Sequence, residues 1–306
     1  MRAYVLRRLW QSALTLLGVS LLVFVVLRVL PGDPAKMLLP DGAPQSAVDE
    51  LNRQLGLHEP LHVQYGIFIR SVVRGDFGQS FQYRAPALRV VTERIAATAE
   101  LALAALILTV AIGVSLGILA AVRRGTRYDY ASTFLAVLGQ SLPNFWLGIM
   151  LILLFGVALR WLPTSGFESW RHIVLPAITL AAFPTALVAR LTRSSMLEIL
   201  GRDYIRTGRA KGLAERSVVL RHALRNAAVP VLTVLGLQIG TLLGGAVITE
   251  SVFAWPGMGK LVVDAIFFRD FPVVQTVLIF SATIFVGLNL VVDLLYTAID
   301  PRIRYS

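Results

Sequence analysis

Apolar residues fall into six windows, at about 9–30, 97–121, 131–159, 173–199, 229–250 and 274–299. Crossing about 30 Å of hydrocarbon takes roughly 20 apolar residues, so each window predicts a transmembrane helix. The expected fold class is an all-α integral membrane protein with about six spans. Residues 31–96 are too many for a turn and too polar to cross, so they predict an outer segment of short helices. Within it, Val48, Leu51 and Leu55 recur at helical spacing before Gly56, which predicts a helix over 46–56. The expected organisation is an N-terminus and first span over 1–30, the outer segment 31–96, a five-helix core over 97–299 and a short tail, 300–306. A polar cytoplasmic loop at 200–228 interrupts the core.

Composition changes the solvent, not the pattern. Of the 306 residues, 56% are hydrophobic and 15% charged, against roughly a quarter charged in soluble chains. Mean hydropathy is +0.70. The net charge of +11 comes from basic residues clustered between apolar windows, without the aromatic-interleaved pattern of a nucleic-acid surface. No nucleic-acid partner is expected; the lipid bilayer is. The absence of cysteine excludes disulfides, thiolate metal sites and cysteine nucleophiles. Arg2, Arg7 and Arg8 before an apolar stretch imitate a signal peptide, but Pro31-Gly-Asp-Pro34 follows where a small-residue cleavage site would stand, so an uncleaved span is expected.

With the N-terminus inside, inner segments hold 17 Lys and Arg against 12 outside. The outer segment also balances its bases with seven acids, whereas Arg190 to Arg225 encloses only Glu198, Asp203 and Glu215. Both termini are therefore expected in the cytoplasm.

The richest loop runs from Asp203 to Arg216. It reads as an Asp cap, two helical turns carrying Arg206, Arg209 and Lys211, and a helix-ending Gly212. Two readings stand side by side: a surface built to touch a partner, or a basic face resting on anionic lipid. In the fifth window Gly236, Gly240 and Gly244 recur every four residues, with Gly245 adjacent, so they either admit a neighbouring helix or line a translocation path. Gly113-Val-Ser-Leu-Gly117 matches a hydrolase nucleophile pattern, but it lies inside a span with no histidine near. Close helix packing is the expectation there, and no catalytic residue is assigned. The four histidines are too scattered for a metal site. Near Gly257-Met-Gly-Lys260, Ala254 and Leu261 break the phosphate-loop pattern, so no ATP site is expected. Glu250, Glu100 and Asp293 sit near span ends, where snorkelling or an arginine partner would serve them. Pro143, Pro176 and Pro184 should kink or interrupt their helices.

The loop resembles the cytoplasmic signature of ABC-importer permeases. Tyr204, Arg206, Thr207, Arg209, Ala210, Lys211 and Gly212 match its peptide and nickel branch, while Gly208 stands where that branch usually has alanine. Leu30-Pro-Gly-Asp-Pro34, Gly75-Asp-Phe-Gly78, Arg190 to Ser195, His222 to Asn226, Phe253 to Gly259 and Asp300 to Arg304 look like the branch's B-type permease. The resemblance implies a type I importer (MetI-like) bundle with an outer domain between helices 1 and 2, in a bacterial cytoplasmic membrane. It also implies that Tyr204 to Leu213, within 203–216, form a coupling helix in a groove of an ATPase.

The implied partners are a second, homologous permease, two ATPase subunits and an extracytoplasmic solute-binding protein. The chain itself would bind no cofactor, ATP and Mg being used by the ATPases, and would not be an enzyme. The implied solute is a small peptide of the dipeptide, oligopeptide or glutathione type. Nickel or a nickel chelate is the alternative, because Leu162 to His172 looks like both the glutathione and the nickel subunits and Ser141 to Trp146 particularly like the nickel one. An ion-coupled carrier would want inverted repeats and mid-membrane ionisable residues, and the sequence has neither feature.

Overall fold

The computed structural model describes residues 2–29, 44–46, 49, 50 and 58–299. The helix expected over 46–56 lies largely outside the described residues, as do the motifs at 30–34 and 300–304. The regular secondary structure of the described residues is helical, apart from one isolated bridge between Gln79 and Pro86. In chain order the helices are α1 (Arg2–Val29), α2 (Leu61–Val73), α3 (Ala87–Val122), α4 (Arg127–Ser141), α5 (Asn144–Ala158), α6 (Val174–Leu200), α7 (Asp203–Ala210), α8 (Leu224–Val252), α9 (Met258–Phe267) and α10 (Phe271–Ile299). Five segments, Leu6–Val29, Ala87–Val122, Trp170–Leu200, Glu215–Gly244 and Phe271–Asp293, are long and apolar enough to cross a membrane.

The window at 131–159 is interrupted at Pro143, as expected: it forms the pair α4 and α5, meeting at 107°. The cause is Pro143, which drives Leu142 out of the helical region to φ −83°, ψ 129° and restarts the chain at Asn144. Pro184, by contrast, stays inside α6.

By packing, the chain divides into two compact units, one from Met1–Ala96 with Lys260–Val291, the other from Ala97–Gly259 with Val292–Asp300. In the first unit Phe24 stacks on Phe68 at 5.7 Å and meets Tyr65 edge-on at 5.4 Å, joining α1 to α2. Phe77 touches Phe280 of α10 at 5.7 Å, and the buried Asp270 before α10 accepts bonds from the Ser80 hydroxyl and the Gln82 backbone N–H. These contacts group most of the last span with the N-terminal part of the chain.

In the second unit α6 is central: 56% of its apolar window is buried, against 33% or less for the other four spans. Small residues explain the close approach. A methyl group placed at Gly117 would lie 2.5 Å from Thr192 Cβ and 2.6 Å from the Ala189 carbonyl oxygen; one at Gly113 would meet Thr185 O at 3.0 Å. The hydrolase-like pattern is therefore a packing seam between α3 and α6. Near the start of α4, buried Asp129 accepts two bonds from Arg193 of α6, at 2.6 and 2.9 Å, and one from Gly125 N–H at 3.0 Å. Two parallel charge-assisted bonds fix the orientation of both side chains.

Glu250 neither snorkels nor reaches water: it is fully buried at the end of α8, where the Thr98 hydroxyl donates to it at 2.7 Å. Beside it Trp255 is buried, donates its indole N–H to the Ala97 carbonyl at 2.8 Å and receives the Phe167 ring edge-on at 4.7 Å. A side chain at Gly257 would fall on the Glu250 carboxylate, and one at Gly259 would sit 2.5 Å from Val247 Cα. The glycines of Phe253 to Gly259 thus make room for a buried acid.

Candidate functional site

The loop singled out by its charge pattern folds as α7 and a tight return. Its N-cap is Arg202, at φ −75°, ψ 149°, with no side-chain cap; Asp203 is the first helical residue, not the cap as expected. There its carboxylate still faces the positive end of the helix, 3.8 Å from the Arg206 guanidinium.

Two backbone bonds close the C-terminus. Gly212 N–H donates to Arg209 O at 3.0 Å and Leu213 N–H to Gly208 O at 3.3 Å, with Gly212 at φ +75°. This is a Schellman cap, and it requires the left-handed conformation that glycine adopts without penalty. The apolar contact that usually accompanies the cap is half built, since a methyl group at Gly208 would lie 3.5 Å from Leu213 Cδ1. The Gly208 departure noted in the sequence therefore leaves an ordinary contact unfilled.

One side chain roots the helix. Ile205 is 1% exposed, packed in a cluster with Ala121 of α3, Met196 of α6, and Val218, Val219, Ala223 and Ala227 around the start of α8. Tyr204 accepts a hydrogen bond from Asn226 at 2.9 Å. Arg209 grips Glu215 through two bonds, at 2.6 and 3.1 Å, which hold its guanidinium pKa above the ordinary arginine value. Ile205 escaped the sequence reading, while Glu215 figured there only as an acid of the loop and Asn226 only as the end of a motif, without their contacts. A lone β-branched residue among polar neighbours was the available signal for Ile205; the other two needed the return of the chain.

The rest of the segment faces outward. Tyr204, Arg206, Thr207, Arg209, Ala210, Lys211, Gly212 and Leu213 are all exposed, with Tyr204 at 45% and Leu213 at 43%. A helix presenting bases, an aromatic ring and a leucine, yet fastened to three spans through one buried residue, can receive a load and pass it inward.

The glycine stripe of α8 does not behave as a unit. Gly236 is buried and Gly240 half-buried, whereas Gly244 is exposed and a methyl group there would meet nothing within 4 Å. The surroundings of Gly245 lie outside the described residues. Gly244 lines a cavity of about 510 Å³ with Leu142, Pro143 and Asn144 at the α4–α5 break, Leu180, Phe183 and Pro184 of α6, and Leu242. No three His, Asp or Glu residues assemble into a metal-binding group among the described residues.

These features define a multi-span helical membrane protein that presents a basic, solvent-exposed helix rooted in its bundle. Residues 113–305 match the model of binding-protein-dependent transport system inner membrane components, and residues 1–104 match the N-terminal model of the same system. The chain belongs to that family. It is 42% identical to a dipeptide transport system permease of Alkalihalophilus pseudofirmus, covering 100% of both chains. It is 46% identical to a glutathione transport system permease of Salmonella choleraesuis and 45% identical to that of Escherichia coli K12, covering 99% of each chain in both cases. Among solved structures, the inward-facing MetNI methionine ABC transporter shares the fold at TM-score 0.59 and 19% identity, over 70% of this chain and 97% of that one. An amino acid ABC transporter shares it at 0.53 and 14%, over 70% and 94%.

Proposed function

We propose that the chain is the translocating subunit of an ATP-driven importer of small peptides, of the dipeptide or glutathione kind, and that Tyr204 to Leu213 form its coupling helix. The observation that carries the coupling role is the contrast within α7: one residue, Ile205, is buried at the foot of three spans, while the basic and apolar remainder is exposed. Whole-length similarity to dipeptide and glutathione permeases supports the solute class.

In this reading two ATPase subunits bind ATP and Mg, and this chain binds no cofactor. Closure of the ATPases moves α7; Ile205 passes the displacement to α3, α6 and α8, and the bundle opens outward to receive solute from an extracytoplasmic binding protein. A second, homologous permease completes the path. The basic excess of the α6–α8 connection supports placing it, and both termini, in the cytoplasm.

The test reconstitutes the chain with its permease partner, ATPases and binding protein in proteoliposomes and measures ATP-dependent uptake of labelled dipeptide, glutathione and nickel. Peptide uptake that stops without ATP is expected. Nickel uptake without peptide uptake would replace the solute class, and uptake driven by a proton or sodium gradient in place of ATP would overturn the importer reading.

A further inference from the structure

Gly244 occupies a costly position for no local reason. Within a helix, glycine is about 1 kcal/mol less favourable than alanine. Close packing offsets the cost at Gly117, Gly113 and Gly139, where an added methyl group would lie 2.5–3.0 Å from the nearest atom, whereas Gly18, Gly66 and Gly287 have surroundings as open as those of Gly244; at Gly244 the open space belongs to a cavity. An added methyl group at Gly244 would meet nothing, and α8 is regular there. What the glycine preserves is the adjoining cavity of about 510 Å³, within the range of about 300–1,000 Å³ typical of small-molecule sites.

The cavity is also where the α4–α5 span is broken, at Leu142 and Pro143. Irregular backbone at membrane depth is tolerated against protein or water, not against lipid. Its walls are mainly Leu142, Leu180, Phe183 and Leu242; Asn144 is the lining residue with a polar side chain, and no lining residue is titratable. A bare divalent cation finds no carboxylate or imidazole in this lining. A transmembrane helix of a partner could fill the volume, but its backbone groups already bond to one another. A short peptide brings free N–H and C=O groups as well as apolar side chains, matching a broken helix, an amide and apolar walls together.

We infer that this cavity is a subsite for the backbone of the transported peptide, with Asn144 as its hydrogen-bonding contact and Gly244 as the residue that sets its size. The inference rests on the peptide-import reading above. It assigns recognition to backbone amides, so peptides of different side chains should compete for it.

The test uses the complete transporter. Gly244→Leu should lower dipeptide uptake on the order of tenfold and tripeptide uptake further, with Gly244→Ala showing the same order of effects in smaller measure. Co-purification with the second permease and the ATPases should stay at the wild-type level. Because the chain has no cysteine, Gly244→Cys gives an independent readout: its alkylation in the assembled transporter should be slowed by dipeptides of varied side chains and not by nickel chloride. Loss of permease pairing in Gly244→Leu would make the cavity an interface and overturn the inference. So would uptake by Gly244→Leu that falls equally for all peptide lengths, or alkylation indifferent to peptide. Each of those results leaves peptide import standing. A wild-type transporter that takes up no peptide would overturn both readings.

Discussion

Thr98 and Glu250, 152 residues apart, share a hydrogen bond of 2.7 Å in which the threonine hydroxyl donates to a fully buried carboxylate. The same hydroxyl oxygen accepts the Met258 N–H at 2.8 Å, so one threonine ties the end of α8 to the start of α9. Removing the acid empties a site that Gly257 and Gly259 are shaped around. Glu250→Ala should destabilise the protein by about 2–4 kcal/mol, whereas Glu250→Gln, which keeps an acceptor for Thr98, should cost less. Thermal unfolding of the purified protein in detergent checks this order; an alanine variant as stable as wild type would contradict it.

The cap of α7 predicts opposite outcomes for two glycines. Gly208→Ala adds a methyl group 3.5 Å from Leu213 Cδ1 and removes about 1 kcal/mol of helix penalty, so uptake should equal or exceed wild type. Gly212→Val forces a branched residue to φ +75°, which costs on the order of 1 kcal/mol or more and breaks the return to Leu213. Expression and membrane insertion should stay near normal while uptake and ATPase association are lost. Normal uptake by a well-expressed Gly212→Val protein would favour a lipid-resting role for the segment.

Within the α3–α6 seam, Gly117→Leu should abolish stable expression, because the nearest atoms lie at 2.5 and 2.6 Å. Ser115, on the exposed side of the same helix, should tolerate Ser115→Ala with uptake within a few-fold of wild type. Expression levels and uptake of the two variants separate packing from catalysis, and loss of uptake only in the serine variant would reverse that assignment.

Topology is open to single-cysteine labelling in this cysteine-free chain. Ser46→Cys and Gln79→Cys should react with an impermeant maleimide in intact cells, and Ser217→Cys only after permeabilisation. Labelling of Ser217→Cys from outside would invert the proposed orientation.

Much of this was legible because membrane crossing is a length constraint, and an apolar run of the required length has few alternatives. Pro143 announced an interruption, but the 107° turn depends on packing that periodicity does not encode. Gly113 and Gly117 were readable as a seam since both glycines lie on one helix face. Glu250 was misread as interfacial because its partner Thr98 belongs to another span. The cap slipped from Asp203 to Arg202, the one-residue error that flanking polar residues invite. Ile205 stayed unnoticed because a single apolar residue carries no period.

The contact at Gly117 has a mechanical consequence. With backbone of α3 set against Thr192 and the Ala189 carbonyl, nothing compressible separates the two helices along that seam. In the proposed coupling, a load entering at Ile205 meets α3 and α6 as one stiff beam, so deformation in the transport cycle would concentrate where such contact is missing. Among the spans of this unit, the broken one at Leu142–Pro143 is the natural hinge.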